Sequence, residues 1–324
     1  MKKPVIGITM GDPCGIGPEV AVKAIASDFV RERVTPIVFG DKSVIEKAKT
    51  LVGTQLQFEV IDLTNVPESL LKSPTPTAEA GMASLKYIET AAAYALEGTV
   101  DAIVTAPINK QSIHLAKSPF PGHTELLMHL TGAENVVMMF DGGRFRVALV
   151  TIHVPLSKVP SLITIDGVFT TIDIVHSSLV RLCGIPNPRI CVTGLNPHAG
   201  EGGAFGDEEV RCIEPAIQKA LKRGIDVEGP MPADTLFYYA AQGRWDAVVA
   251  MYHDQGLIPF KMLSFDEGVN VTLGLPFVRT SPDHGTAFDI AWKGVANPTS
   301  MISAIKLATE YLENMGKKSA TPST

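Results

Sequence analysis

Short apolar runs rich in Val and Ile recur along the chain, and most give way to a turn and then to a helix-like segment. Runs of this kind at 5–9, 35–39, 56–61, 101–106, 135–140, 146–152, 189–194 and 246–252 read as buried strands. Between them 20–31, 43–51, 77–97, 163–182 and 208–222 read as helices, and a helix at 299–314 closes the fold. Gly142 and Gly143 mark a turn that makes two of the strands neighbours, and 269–279 reads as one extended segment. This alternation predicts an α/β protein with a largely parallel sheet, whose ligands bind where the strands end. With 324 residues, 45% of them hydrophobic, the chain can build one large unit or two lobes with a core each. Residues 64–76 read as a loop and 316–324 as a disordered tail.

A formal net charge of −6 lacks the basic excess of a nucleic-acid binder, so no nucleic-acid partner is expected. The four cysteines, Cys14, Cys183, Cys191 and Cys212, form no C-x-x-C pair and read as reduced, mostly buried thiols of a cytoplasmic protein. Met1-Lys-Lys and the short run after it lack the pattern of a signal peptide. No run is long and apolar enough to span a bilayer, so no membrane partner is expected.

The candidate chemistry clusters just past strand ends. Asn196-Pro-His-Ala-Gly-Glu-Gly-Gly-Ala-Phe-Gly206 links a strand to an acidic helix start, which suits an anion or a metal because glycines let the backbone approach. His198 lies at its tip. His153, in Thr151-Ile-His-Val-Pro155, and His253, in Met251-Tyr-His-Asp-Gln-Gly256, hold matching positions, and the three converge on one ion if their strands share a parallel sheet. Lys110 follows another strand. His123 and Thr124 open a helix where they either hold a phosphate oxygen or cap the end. Asp234 near a helix start has the same two readings. Met10-Gly-Asp-Pro-Cys-Gly-Ile-Gly-Pro-Glu19 is either a tight βα turn or a ligand-facing loop. It is not a G-x-G-x-x-G fingerprint, because Val20 stands where the third glycine would fall.

Taken in order, Met10-Gly-Asp-Pro-x-Gly-Ile-Gly-Pro-Glu19, Gly122-His-Thr-Glu125, Asn196-Pro-His-Ala-Gly-Glu-Gly-Gly203, Pro232-Ala-Asp-Thr235, Tyr252-His-Asp-Gln-Gly256 and Asp283-His-Gly-Thr-Ala287 form a specific set. Over essentially its full length the chain resembles the 4-hydroxythreonine-4-phosphate dehydrogenase family of vitamin B6 biosynthesis. Its start and its end, at Gly294-Val-Ala-Asn-Pro298, are more distantly similar to isopropylmalate and isocitrate dehydrogenases.

The resemblance implies one dehydrogenase unit of that α/β type, with two lobes and a central cleft: 1–125 plus 280–324 on the nucleotide side, 126–279 on the metal and dimer side. It implies a homodimer with a shared active site and one divalent metal per site (Zn, Mg, Co or Mn) on His153, His198 and His253. The substrate, a phosphorylated four-carbon hydroxy acid, falls on His123, Thr124, Lys261, Asn270 and Arg279. NAD or NADP falls on Asp283, His284, Gly285, Asp289 and Asn297. Asp234, Asp254 and Lys110 are candidates for the catalytic base, with no choice among them. The implied activity is oxidation of 4-phosphohydroxy-L-threonine followed by decarboxylation. The alternatives are the same chemistry on D-threonate or D-erythronate 4-phosphate, or a non-catalytic sensor of metal and phosphate.

Overall fold

The computed structural model describes residues 3–63, 66–72, 74–143 and 145–319. In chain order its main elements are β1 (Val5–Thr9), α1 (Gly17–Ile25), α2 (Asp28–Arg33), β2 (Thr35–Gly40), α3 (Lys42–Val52), β3 (Glu59–Asp62), α4 (Ala78–Leu96), β4 (Ala102–Thr105), α5 (Lys110–Leu115) and α6 (His123–Thr131). There follow β5 (Val137–Asp141), β6 (Arg146–Leu149), α7 (Val159–Leu162), α8 (Ile165–Arg181), β7 (Ile190–Thr193), α9 (Glu214–Lys222), β8 (Val227–Met231) and α10 (Ala233–Ala240). The last are β9 (Ala247–Ala250), α11 (His253–Ser264), β10 (Val269–Leu273), β11 (Val278–Pro282) and α12 (Thr299–Ser319). The chain forms two compact units. One holds the residues up to Glu134 together with Leu275–Glu313; the other holds Asn135–Gly274 and the chain from Asn314.

In the first unit the strand order is β3-β2-β1-β4-β11, with parallel pairing throughout the order. Ile6, Ile8, Val38, Phe39, Ile103 and Val104 are buried, with Ile45 of α3 and Tyr87 and Ile88 of α4 among the core side chains. Strands covered on both faces read as continuous apolar runs, which is why they stand out in the sequence. In the second unit the order is β10-β5-β6-β9-β7-β8. There β5 runs antiparallel to β10 and β6, while the pairs β6–β9, β9–β7 and β7–β8 are parallel. Phe140, Phe145, Phe237, Trp245 and Phe260 dominate its core. No single helix among the described residues is long and apolar enough to cross a membrane.

Several elements depart from the sequence expectation. The segment 269–279 is two strands, broken where Gly274 turns with φ +92°. Strand β8 contains Gly229 and Pro230, which hid it; as the last strand in its order it tolerates a residue that donates no hydrogen bond. Lys110 begins a short helix, capped by Asn109, whose Oδ1 accepts from the Ser112 N–H at 2.9 Å. The predicted 208–222 helix starts as a π-turn at Glu209–Ile213 before α9. The final helix continues to Ser319, past the expected start of a disordered tail. Residues 64, 65, 73 and 320–324 of the expected loop and tail lie outside the described residues.

Candidate functional site

Strands β6, β9 and β7 are adjacent and parallel, and one histidine follows each of them. His153 lies four residues past the end of β6, His253 heads α11 after β9, and His198 follows β7. The His153 and His253 rings lie 5.7 Å apart between centroids. Two ties hold these strand ends in register. Thr151 Oγ1 donates to the Met251 carbonyl at 2.7 Å. Gln255 joins β9 to β7: its Oε1 accepts from the Met251 N–H at 2.7 Å and the Thr193 hydroxyl at 2.8 Å, and its Nε2 donates to the Gly194 carbonyl at 2.7 Å.

The segment carrying His198 is a left-handed turn. His198, Ala199, Gly200, Glu201 and Gly202 have φ of 54°, 52°, 79°, 43° and 64°. Each non-glycine residue costs roughly 1–2 kcal/mol in that region, so something must hold the turn. Glu209, 1% exposed, does so. Its carboxylate accepts from the Leu195 N–H at 2.8 Å, the Asn196 N–H at 2.7 Å and the Asn196 side-chain amide at 2.9 Å. Hydrogen bonds to a charged group contribute about 1.5–3 kcal/mol each, a sum comparable to the strain. Gly200 is required here as well, since a Cβ would stand 2.7 Å from Glu209 Oε2.

Neutral imidazoles at strand ends suit a divalent metal. His253 has the usual supporting carboxylate, with Nδ1 2.8 Å from Asp254 Oδ1, which leaves Nε2 for a ligand. Among the described residues of one chain, however, no group of three His, Cys, Asp or Glu side chains is set to hold a metal ion. The donor chemistry fits; in a single chain the His153 and His253 rings are neighbours, and the His198 ring lies 6.0 Å from that of Phe205 between centroids.

The first unit holds an anion-friendly cluster. His123 and Thr124 begin α6, whose free N–H groups favour negative charge. Arg279 on β11 is 3% exposed and donates from Nη2 to the Thr105 hydroxyl at 2.6 Å. Burial pushes this guanidinium down to about 10. His123 Nε2 is sealed from solvent and has no hydrogen-bond partner. Burial, and after it the Arg279 charge, holds this imidazole well below its usual value. In the second unit Lys261 lies on α11, and Asn270 on β10 has a buried Oδ1 without a hydrogen-bond partner.

The nucleotide candidates of the first unit share one irregular loop after β11. Gly285 is exposed, and nothing lies within 4 Å of where its Cβ would be, so a ligand can approach the backbone. His284 Nδ1 meets the Gly285 carbonyl at 3.1 Å, and its buried Nε2 has no hydrogen-bond partner. Asp283 donates its N–H to Ser300 Oγ at 3.2 Å, and Asp289 is exposed. Asn297 Oδ1 accepts from Thr299 at the start of α12, so its amide N–H groups are the part left for a ligand. The proton-acceptor candidates have local partners too. Asp234 Oδ1 accepts from the Thr235 N–H, Asp254 faces His253, and Lys110 is exposed. Sequence reasoning missed Glu209 and Gln255, because nothing in the spacing of a Glu or a Gln signals that it ties two backbones.

The family profile described as pyridoxal phosphate biosynthetic protein PdxA matches residues 32–308. A 4-hydroxythreonine-4-phosphate dehydrogenase from Geobacter metallireducens is 49% identical over 336 residues, covering 99% of both chains. A D-threonate 4-phosphate dehydrogenase from Cupriavidus necator is 48% identical over 324 residues, covering 95% of this chain and 97% of its own. The crystal structure of a 4-hydroxythreonine-4-phosphate dehydrogenase from Klebsiella pneumoniae superposes with a TM-score of 0.84 at 42% identity, covering 96% of this chain and 98% of its own. At the level of fold alone, isocitrate dehydrogenase from Methylococcus capsulatus is similar, with a TM-score of 0.50 at 17% identity over 97% of this chain and 87% of its own.

Proposed function

Because the chain belongs to the family of pyridoxal phosphate biosynthetic protein PdxA, we propose that it is a metal-dependent, NAD(P)-linked dehydrogenase acting on 4-phosphohydroxy-L-threonine. The CH–OH group is oxidised to a ketone, and the resulting 2-amino-3-oxo-4-phosphate acid loses CO2 to give 3-amino-2-oxopropyl phosphate. The observation that carries this reading is the placement of His153, His253 and His198 after three adjacent parallel strands.

His153, His198 and His253 would hold the divalent metal, with Asp254 orienting His253. Such a metal supplies Lewis acidity to a hydroxyl being oxidised and to the charge that develops as CO2 departs. Three imidazole donors favour Zn or Co over the harder Mg and Mn, the other candidates. Arg279, His123 and Thr124 bind the substrate phosphate, Arg279 by a planar fork suited to it. Lys261 is a further phosphate contact, and Asn270 a further substrate contact. The loop residues Asp283, His284, Gly285, Asp289 and Asn297 receive the adenosine of NAD or NADP, the hydride acceptor. Asp234, Asp254 and Lys110 remain the candidates for taking the hydroxyl proton. The working form is a homodimer with shared sites, since no three His, Cys, Asp or Glu side chains among the described residues of one chain are set to hold the metal. The four cysteines, read as reduced thiols, fit a cytoplasmic setting.

A second reading has a specific support: the Cupriavidus necator relative, named for D-threonate 4-phosphate, is 48% identical. The metal-loaded protein should therefore be assayed for NADH or NADPH formation with 4-phosphohydroxy-L-threonine, D-threonate 4-phosphate and D-erythronate 4-phosphate in parallel. The highest kcat/KM is expected on the first. Preference for either sugar acid would move the protein to the second reading, and no reduction with any of the three would reject both.

A further inference from the structure

The N-terminal motif resolves into a role that neither a plain turn nor a ligand-facing loop describes. Residues 11–19 are all buried. A Cβ on Gly15 would stand 2.9 Å from both Cβ and the carbonyl oxygen of Thr286, so the glycine there admits another backbone rather than a ligand. The motif is sewn to the loop after β11 at several points. The Ile16 N–H donates to the Thr286 carbonyl at 2.9 Å, and Trp292 Nε1 donates to the Pro13 carbonyl at 3.2 Å.

Glu19 and Lys23, one turn apart on α1, make the densest of these contacts. Lys23 Nζ donates to Glu19 Oε1 at 2.7 Å, to the Gly294 carbonyl at 2.9 Å and to the Ala296 carbonyl at 2.8 Å, which uses all three of its protons. Glu19 accepts from the Ala296 N–H at 2.8 Å and the Gly294 N–H at 3.2 Å. One ion pair thus satisfies both the N–H and the C=O of two loop residues, as a neighbouring β-strand would. The pair is sheltered, with the Glu19 side chain 1% exposed and that of Lys23 19% exposed, so solvent competes weakly with these bonds. Asn297 is the next residue along. In a loop without regular structure, its direction and that of the preceding backbone depend on this anchor.

We propose that Glu19 and Lys23 are positioning residues for the dinucleotide: they fix the backbone of 294–296 so that the loop is ordered before NAD(P) arrives. This rests on the nucleotide assignment made above. A pre-ordered loop spares the ligand the entropy of ordering it, so loosening the anchor weakens dinucleotide binding selectively.

The test uses the full-length, metal-loaded protein with Glu19→Gln, Lys23→Met and Lys23→Arg, with folding checked by circular dichroism and melting temperature. NADH and NADPH affinity is read by fluorescence titration, and KM is measured for dinucleotide and phosphorylated substrate separately. Glu19→Gln and Lys23→Met should weaken dinucleotide binding roughly tenfold or more, the loss expected for hydrogen bonds to a charged group. KM for the phosphorylated substrate should stay within about twofold, a change of under half a kcal/mol. Lys23→Arg, which keeps charge and donors, should retain most of the affinity. Equal loss on both ligands, or no loss on either, overturns the proposal. So does failure of all three variants to fold, which would make the pair a scaffold of the whole unit. If the wild-type protein binds neither NADH nor NADPH, the nucleotide assignment itself falls, a result distinct from variants that bind as the wild type does.

Discussion

Arg279 and His123 show how one site can set two titrations against their ordinary values. The guanidinium is pushed down to about 10 by burial, and the neighbouring imidazole is held well below 6.5 by burial and then by that guanidinium. A phosphate in the same place would relieve both, since it brings negative charge and acceptor oxygens to a buried cation. Arg279→Ala should raise KM for the phosphorylated substrate by an amount equal to roughly 1.5–3 kcal/mol, leaving KM for the dinucleotide nearly unchanged. An unaltered substrate KM would remove Arg279 from the site. His123 gives a prediction about stability. Because its folded pKa lies below its unfolded value, the unfolded chain takes up a proton near pH 6.5 that the folded chain does not. Stability should therefore fall as pH is lowered through about 6.5 and keep falling until the folded value is reached. Urea unfolding at pH 7.5 and 5.5 should show a smaller difference for His123→Gln than for the wild type. The same difference in both proteins would mean that His123 does not titrate in this way.

At the scale of elements, the left-handed turn at 198–202 is the clearest case of local structure set from a distance. Its φ values are unfavourable for His198, Ala199 and Glu201, and its anchor, Glu209, belongs to the following π-turn. Glu209→Gln should lower stability by about 1.5–3 kcal/mol, because an amide presents fewer acceptors to Leu195 and Asn196. It should also weaken metal binding, read by competition with a chelator. A variant with wild-type stability and metal affinity would show that the turn holds itself. The same turn marks the limit of the sequence. Its glycines flag a turn, but the sign of φ at His198 depends on Glu209, which no spacing rule connects to it. Strands such as β1, β4, β7 and β9 were legible because burial on both faces makes them continuous apolar runs. Strand β8 was not, because Gly229 and Pro230 imitate a turn, and α5 was hidden between Pro107 and its own brevity. The histidines could be placed at strand ends from the pattern alone. That β6, β9 and β7 are neighbours could not, since strand order is a tertiary fact.

For the whole molecule the open matter is how many chains make a site. Helix α11, which His253 begins, and the residue that caps its end leave Ile258, Met262 and Phe265 exposed at 60%, 80% and 72%. Their spacing of four and three residues puts them on one stripe, which the partner chain would cover in the proposed dimer. The histidines point the same way, because no group of three His, Cys, Asp or Glu side chains among the described residues of one chain is set to hold a metal. If His198 joins His153 and His253 of the opposite chain, each two-fold dimer holds two sites, and each site draws on both chains. His198→Ala and His253→Ala should then each be inactive as pure dimers. Mixed after mild dissociation, they should behave differently. In a mixed dimer one site carries both substitutions and the other carries neither. Half of the randomly paired dimers are mixed and each has one working site of two, so activity should return to about a quarter of the wild-type level. If all three histidines serve a site within one chain, every site in a mixed dimer carries a substitution and no activity returns. Arg279→Ala paired with His198→Ala extends the test to the phosphate site. Its recovery would place Arg279 and His198 of a given site on different chains, and its failure would place them on the same chain. An active species that sediments as a monomer, or failure of every pair to recover activity, would reject the shared site.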